Sequence, residues 1–176
     1  MNHEIETKMV RIRSGIQKYV NCEKILFVFV KSNNDNCIVF LYDDDDNNDD
    51  PLIPMWLHLE PKEMEKDLQN GNTSLMSPLN KMENDLVGCE LIVEDDTGKF
   101  LVKLNQSGMQ DRNFELVMDS QNKPAVLTTI SGSTCRVEYG FCQFKEGIMM
   151  IPEYFMLNGT DVETGQKRWE KIDYKL

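Results

Sequence analysis

Histidine is scarce in this chain, with two in 176 residues, His3 and His58. A cysteine nucleophile needs a base to draw off its proton. His3 belongs to a terminus expected to fray, and His58 meets a thiol such as Cys89 only if packing happens to join them. Cysteine is sparse as well: Cys22, Cys37, Cys89, Cys135 and Cys142 are odd in number and follow no framework spacing. With no CxxC pair among them, the pattern argues against a disulfide scaffold and a structural zinc site, and fits reduced thiols in a cytoplasmic protein. There is no GxSxG, P-loop or GxGxxG. No apolar run reaches transmembrane length. The opening MNHEIETKMVRIRSG has no apolar stretch of the kind that marks a signal peptide. Positive charge is in deficit, with 19 basic against 30 acidic residues and a net charge of −11. A negative surface argues against non-specific binding to nucleic acid or to anionic membranes, since both require cationic patches.

What the chain does contain is apolar β-forming sequence. Residues 25–30 read ILFVFV and residues 37–42 read CIVFLY. Ile25, Phe27 and Phe29 are placed on one side and Leu26, Val28 and Val30 on the other. A strand apolar on both faces is covered on both, so these two are expected to lie centrally. A third strand alternates, with Ile53, Met55, Leu57 and Leu59 towards the main core and Trp56, His58 and Glu60 on the opposite face. Between the second and third strands runs DDDDNNDD, residues 43–50. Of the net −11, its six acids account for more than half, leaving −5 for the rest. Like charges repel and stay solvated, so a disordered loop is expected there.

Ile5, Met9, Ile12, Ile16 and Val20 form one apolar stripe over residues 4–20, an amphipathic N-terminal helix that either caps the sheet or binds a partner. Pro61 opens a short helix ended by Asn70-Gly71. Ser77-Pro78 provides an N-cap and first-turn proline for a second, with Leu79, Met82 and Leu86 as its buried stripe and Gly88 as its stop. From Cys89 onward the chain reads as β again, at 89–94, 99–104, 114–118, 125–130, 135–144, 149–157 and 167–174, with polar turns between. The expectation is a single domain over 1–176. It comprises a helical extension at 1–23 and a mainly β domain at 24–173, an antiparallel sandwich or barrel with short helices between strands.

The obvious chemical motifs fail on inspection. A calcium loop needs Gly at its sixth position and Glu at its twelfth, and every register of the acidic run lacks them. Asp96-Thr97-Gly98 spells the aspartic-protease tripeptide, but that chemistry needs two such aspartates, and a hairpin turn accounts for the one copy. The sequons at Asn72, Asn105 and Asn158 read as Asn-rich turns. Trp56, His58 and Tyr154, as amphipathic aromatics, are candidates to line a ligand cleft, although core or rim positions are their commoner use.

Three segments together resemble an uncharacterised family, domain of unknown function 4833. In FVKSNNDNCIVF, Lys31, Ser32, Asn34 and Asn36 are similar to its basic-Ser-x-Asn-x-Asn strand-loop-strand. In PLIPMWL, Trp56 matches an aromatic-Trp strand. Leu79, Met82, Glu83 and Leu86 fit a short helix that ends Ala-Tyr-Gly in the family and Val87-Gly88-Cys89 here. In YFMLNGTDVETGQKRWEKI, Tyr154, Leu157, Gly159, Asp161, Thr164, Gly165 and Ile172 fit a terminal strand-turn-strand. The resemblance spans about residues 24 to 173 and implies no activity, cofactor or catalytic residue. Lys31 and Ser32 therefore join Trp56, His58 and Tyr154 as candidate ligand-binding residues. The expected function is a non-enzymatic module for a small ligand or a protein, without metal or cofactor. The alternative is a hydrolase-like enzyme working through acidic or Cys–His residues.

Overall fold

The computed structural model describes residues 24–33, 36–43, 51–58, 76–93, 100–106, 108–147 and 151–174, with isolated positions at 3–10 and 62–69. Among the described residues, eleven strands and one continuous helix succeed one another: β1 (Ile25–Lys31), β2 (Cys37–Tyr42), β3 (Leu52–Leu57), β4 (Met76–Pro78), α1 (Lys81–Val87), β5 (Cys89–Val93), β6 (Phe100–Leu104), β7 (Phe114–Met118), β8 (Pro124–Ile130), β9 (Ser133–Phe144), β10 (Pro152–Asp161) and β11 (Lys167–Asp173). The turn at 95–98, residues 44–50 and most of the Pro61 and N-terminal helices lie outside the described residues; the described positions Lys62, Glu65, Lys66 and Gln69 are helical. Among those isolated positions, Met9 is buried and Val10 is 64% exposed.

The twelve-residue strand β9 organises the sheet. β10 runs antiparallel along one edge of it, from Pro152↔Phe144 to Asp161↔Cys135. The other edge is divided. β8 pairs antiparallel with residues Ser133 to Arg136, and β1 pairs parallel with residues Tyr139 to Cys142. From there two wings diverge, β1-β2-β3-β4 and β8-β7-β6-β5, while β11 extends β10. The sheet therefore curls into a half-barrel rather than a sandwich. The β1–β9 contact also makes it mixed, where hairpin signals alone predict an antiparallel sheet.

The concave side holds the larger core. Phe27 and Phe40 stack with centroids 4.3 Å apart, and Phe29 meets both edge-on. They face Val102, Phe114 and Val126 from the other wing. On the outer side of β1, β2 and β9 a second cluster gathers Val28, Val30, Val39, Leu57, Tyr139 and Phe141, with Met9 buried among them. β1 and β2 are thus apolar on both faces because both are covered. Two details of the alternation differ from expectation. A register shift between Ile25 and Phe27 turns Ile25 to the outer cluster and leaves Leu26 with the inner one. On β3, Trp56 packs towards the larger core and Leu57 towards the outer cluster, because the sheet curls over the Trp56 side.

α1 begins later than Ser77-Pro78 suggests. Residues 76–78 instead pair with Leu57, Trp56 and Met55 as β4. Asn80 is the N-cap: its side chain accepts from the Glu83 N–H at 2.8 Å, and Glu83 accepts from the Asn80 N–H at 2.9 Å. This reciprocal pair satisfies two helix-end donors. Leu79 and Val87 pack against the core, whereas Met82 and Leu86 stand 69% and 63% exposed, contrary to the expected buried stripe.

Candidate functional site

The two ends of the half-barrel differ. At one end α1 and the end of β3 lie together. The second oxygen of Glu83 accepts from the Trp56 indole N–H at 2.9 Å, and the Lys31 ammonium sits 4.9 Å from the centroid of the Trp56 ring. Asn105, just after β6, ties the helix to the second wing. Its N–H donates to Gly88 and its amide to the Asn84 carbonyl at 2.8 Å. His58 Nε2 lies 3.0 Å from Ser77 Oγ, and Ser77 pairs across the strands with Trp56.

At the other end the wings leave a groove of about 380 Å³, lined by Tyr42 and Pro51 from one wing and Phe100, Glu115, Leu116, Val117 and Met118 from the other. Phe100 and Met118 are 42% and 47% exposed. Among the described residues, Glu115 is the one carboxylate in that lining, and it borders a cavity on the outside of the wing as well. Two further cavities, of about 300 and 350 Å³, lie on the outside of the β6–β8 wing and share Asn113, Thr128 and Thr129. Their linings are richer in polar side chains.

The five residues picked from sequence are dispersed. Lys31 and Trp56 touch, and His58 is two residues away on the same segment. Ser32 is engaged by the backbone: its Oγ accepts from the Phe144 N–H at 2.9 Å and its N–H donates to the Cys142 carbonyl. Tyr154 faces the outer cluster, with the Lys171 ammonium 4.6 Å from its ring centroid. Alternation along β10 causes this, since Phe155 and Leu157 take the concave side.

The β10–β11 hairpin carries an ionic network of its own. Asp161 Oδ1 accepts from the backbone N–H groups of Glu163 and Thr164, and Oδ2 accepts from Arg168 Nε at 3.0 Å. Those backbone donors, followed by Arg168, hold its carboxyl down from 3.8 to about 2. Glu170 accepts from Arg112 and from the Ser131 N–H, which outweigh the opposing effect of burial and keep its pKa below the usual carboxylate range. These carboxylates fix a turn and anchor a strand. Asn158 lies in the middle of β10 and is buried, rather than in a turn.

The four described cysteines are buried. Burial pushes the Cys142 thiol up to about 12 against a smaller pull from Lys31, so at neutral pH it is a poor nucleophile. Burial and the nearby Asp161 also raise Cys135.

Sequence reasoning gave Glu83 only a place in the short helix, not its bond to Trp56, and passed over the whole groove. Asn80-x-x-Glu83 is a legible capping signature, but nothing in it announces the bond to Trp56. The groove residues come from β2, β6 and β7 together with Pro51 just before β3, and no local signal in the sequence brings them together. Among the described residues no helix is long and apolar enough to cross a membrane. The model of one protein family, described as domain of unknown function (DUF4833), matches residues 27–171. No curated protein and no solved structure matches the chain.

Proposed function

The chain belongs to the DUF4833 family, and because that family carries no assigned activity, we propose a function from the groove: a binding module that holds a small, mainly apolar ligand between the two wings. The observation that supports it is the lining. Five apolar side chains, with the Tyr42 ring and one carboxylate, border about 380 Å³, within the usual range for small-ligand pockets of about 300–1,000 Å³. The exposed apolar surface of Phe100 and Met118 is what a ligand would cover. The hydrolase-like alternative has less behind it. Cys142 is held as a thiol, and His58 engages Ser77, away from the groove.

The test is a titration with the neutral fluorophore N-phenyl-1-naphthylamine, whose emission rises in apolar surroundings. A saturable signal is expected. In Phe100→Ser/Met118→Ser the affinity should fall about tenfold, since about 50 Å² of lost apolar contact corresponds to about one decade. An unchanged titration in that double variant, with its fold verified by circular dichroism, would remove the groove as the site.

A further inference from the structure

We infer that Met118 is an oxidation-sensitive residue of the groove: a hydroperoxide converts its thioether to the sulfoxide and so weakens the hold on an apolar ligand. This rests on the reading of the groove as a ligand site. Met118 closes β7, lines the groove and is 47% exposed. A methionine suits such a wall, because its unbranched thioether adapts to ligands of varied shape. The same exposure lets an oxidant reach the sulfur.

The other sulfur atoms of the described residues are screened or lie elsewhere. Cys37, Cys89, Cys135 and Cys142 are buried. Burial pushes the Cys142 thiol up to about 12 and raises Cys135 as well, so neither offers a peroxide a thiolate at neutral pH. Met9, Met109 and Met156 are buried, and Met55 and Met76 are half-buried. Met82 is more exposed than Met118, but it stands on α1 and is not part of the groove lining. Among the described residues, Met118 is the one thioether in that lining.

The step is a two-electron oxidation. A sulfur lone pair attacks one oxygen of the hydroperoxide, and the O–O bond breaks as the S–O bond forms. The proton of the transferred hydroxyl passes to the departing oxygen, which leaves as water or an alcohol. Sulfur is oxidised, the peroxide is reduced, and no further reactant is needed. The product puts a polar S=O group where the wall was apolar. Of the other lining residues, Tyr42 alone carries a side-chain donor at neutral pH. An apolar ligand lying on the sulfoxide strips it of water with at most that hydroxyl in exchange, which should weaken binding about fivefold.

The experiment treats the full chain with hydrogen peroxide, removes the reagent, locates each added oxygen by peptide mass spectrometry and repeats the N-phenyl-1-naphthylamine titration. Sulfoxide is expected at both Met118 and Met82, with the affinity about fivefold lower. Methionine sulfoxide reductases acting on both sulfoxide epimers should restore it. Met118→Leu has no thioether in the groove. Whatever its affinity before treatment, peroxide should leave that value unchanged, although Met82 is oxidised there too. Unaltered affinity in a chain carrying Met118 sulfoxide, a Met118 that stays reduced while Met82 is converted, or an equal loss in Met118→Leu would overturn the oxidation inference and leave the groove standing. A loss of fold on treatment, seen by circular dichroism, would overturn it as well. If untreated Phe100→Ser/Met118→Ser titrates like the untreated parent, the groove is not the site and both readings fall.

Discussion

Trp56 is held from three directions: its ring packs against the larger core, its N–H donates to Glu83, and Lys31 lies over one face. These contributions are separable. Trp56→Phe keeps most of the packing and loses the donor to a carboxylate, at a cost of about 1–2 kcal/mol. Trp56→Ala loses the ring as well and should cost about 3 kcal/mol, the low end for an aromatic because the site is half-buried. Urea unfolding of the two variants measures the difference, and near-parent stability in Trp56→Ala would show that the indole is not structural. Asp161 makes a prediction about pH. Its carboxyl is depressed from 3.8 to about 2, so on acidification the unfolded chain takes up the proton first. The stability it confers is complete above about pH 4 and is lost as pH falls through about 2. Between those values the parent's unfolding midpoint should drop more steeply than that of Asp161→Asn, which has no carboxyl to protonate. Parallel profiles for the two chains would refute the assignment.

Elements meet most tightly where β1 lies against β9. Phe29 pairs with Gly140 in the parallel register, and a Cβ at Gly140 would sit 1.9 Å from the Phe29 ring. Phe29 is also wedged against Phe27 and Phe40, so the ring has little room to move. Gly140→Ala should therefore destabilise by about 1–3 kcal/mol, as overpacking does. Adding Phe29→Leu should recover part of the loss, which a double-mutant cycle would detect as coupling. Strands of this kind were legible one by one. Phe27, Val28, Phe29 and Val30 announce a strand covered on both sides, and both clusters are present. The helix was legible less well, because two start signals compete within four residues. Ser77-Pro78 satisfies a local rule, but the same residues can extend β3 by pairing, and Asn80 with Glu83 then caps the helix at Lys81. A local signal does not reveal which of two good local solutions the neighbouring strand selects.

For the whole molecule the limit of legibility is distance along the chain. Hairpins β5–β6, β7–β8 and β8–β9 follow from turn residues beside them, such as Ser131-Gly132, both at positive φ. The β1–β9 contact joins Val28 to Tyr139 with no turn between them to predict it. The groove depends on that contact, since it is the curl about β9 that sets Tyr42 opposite Phe100 and Met118. The divided edge of β9 also governs the order of events during synthesis. β1 leaves the ribosome with both faces apolar, yet its partner strand is made about a hundred residues later, a delay of about 5–20 seconds at about 5–20 residues per second. For that interval the first wing has an open edge and two uncovered faces, while the second wing can form its hairpins as they emerge. The chain's most vulnerable moment is therefore set by its first strand waiting for the ninth.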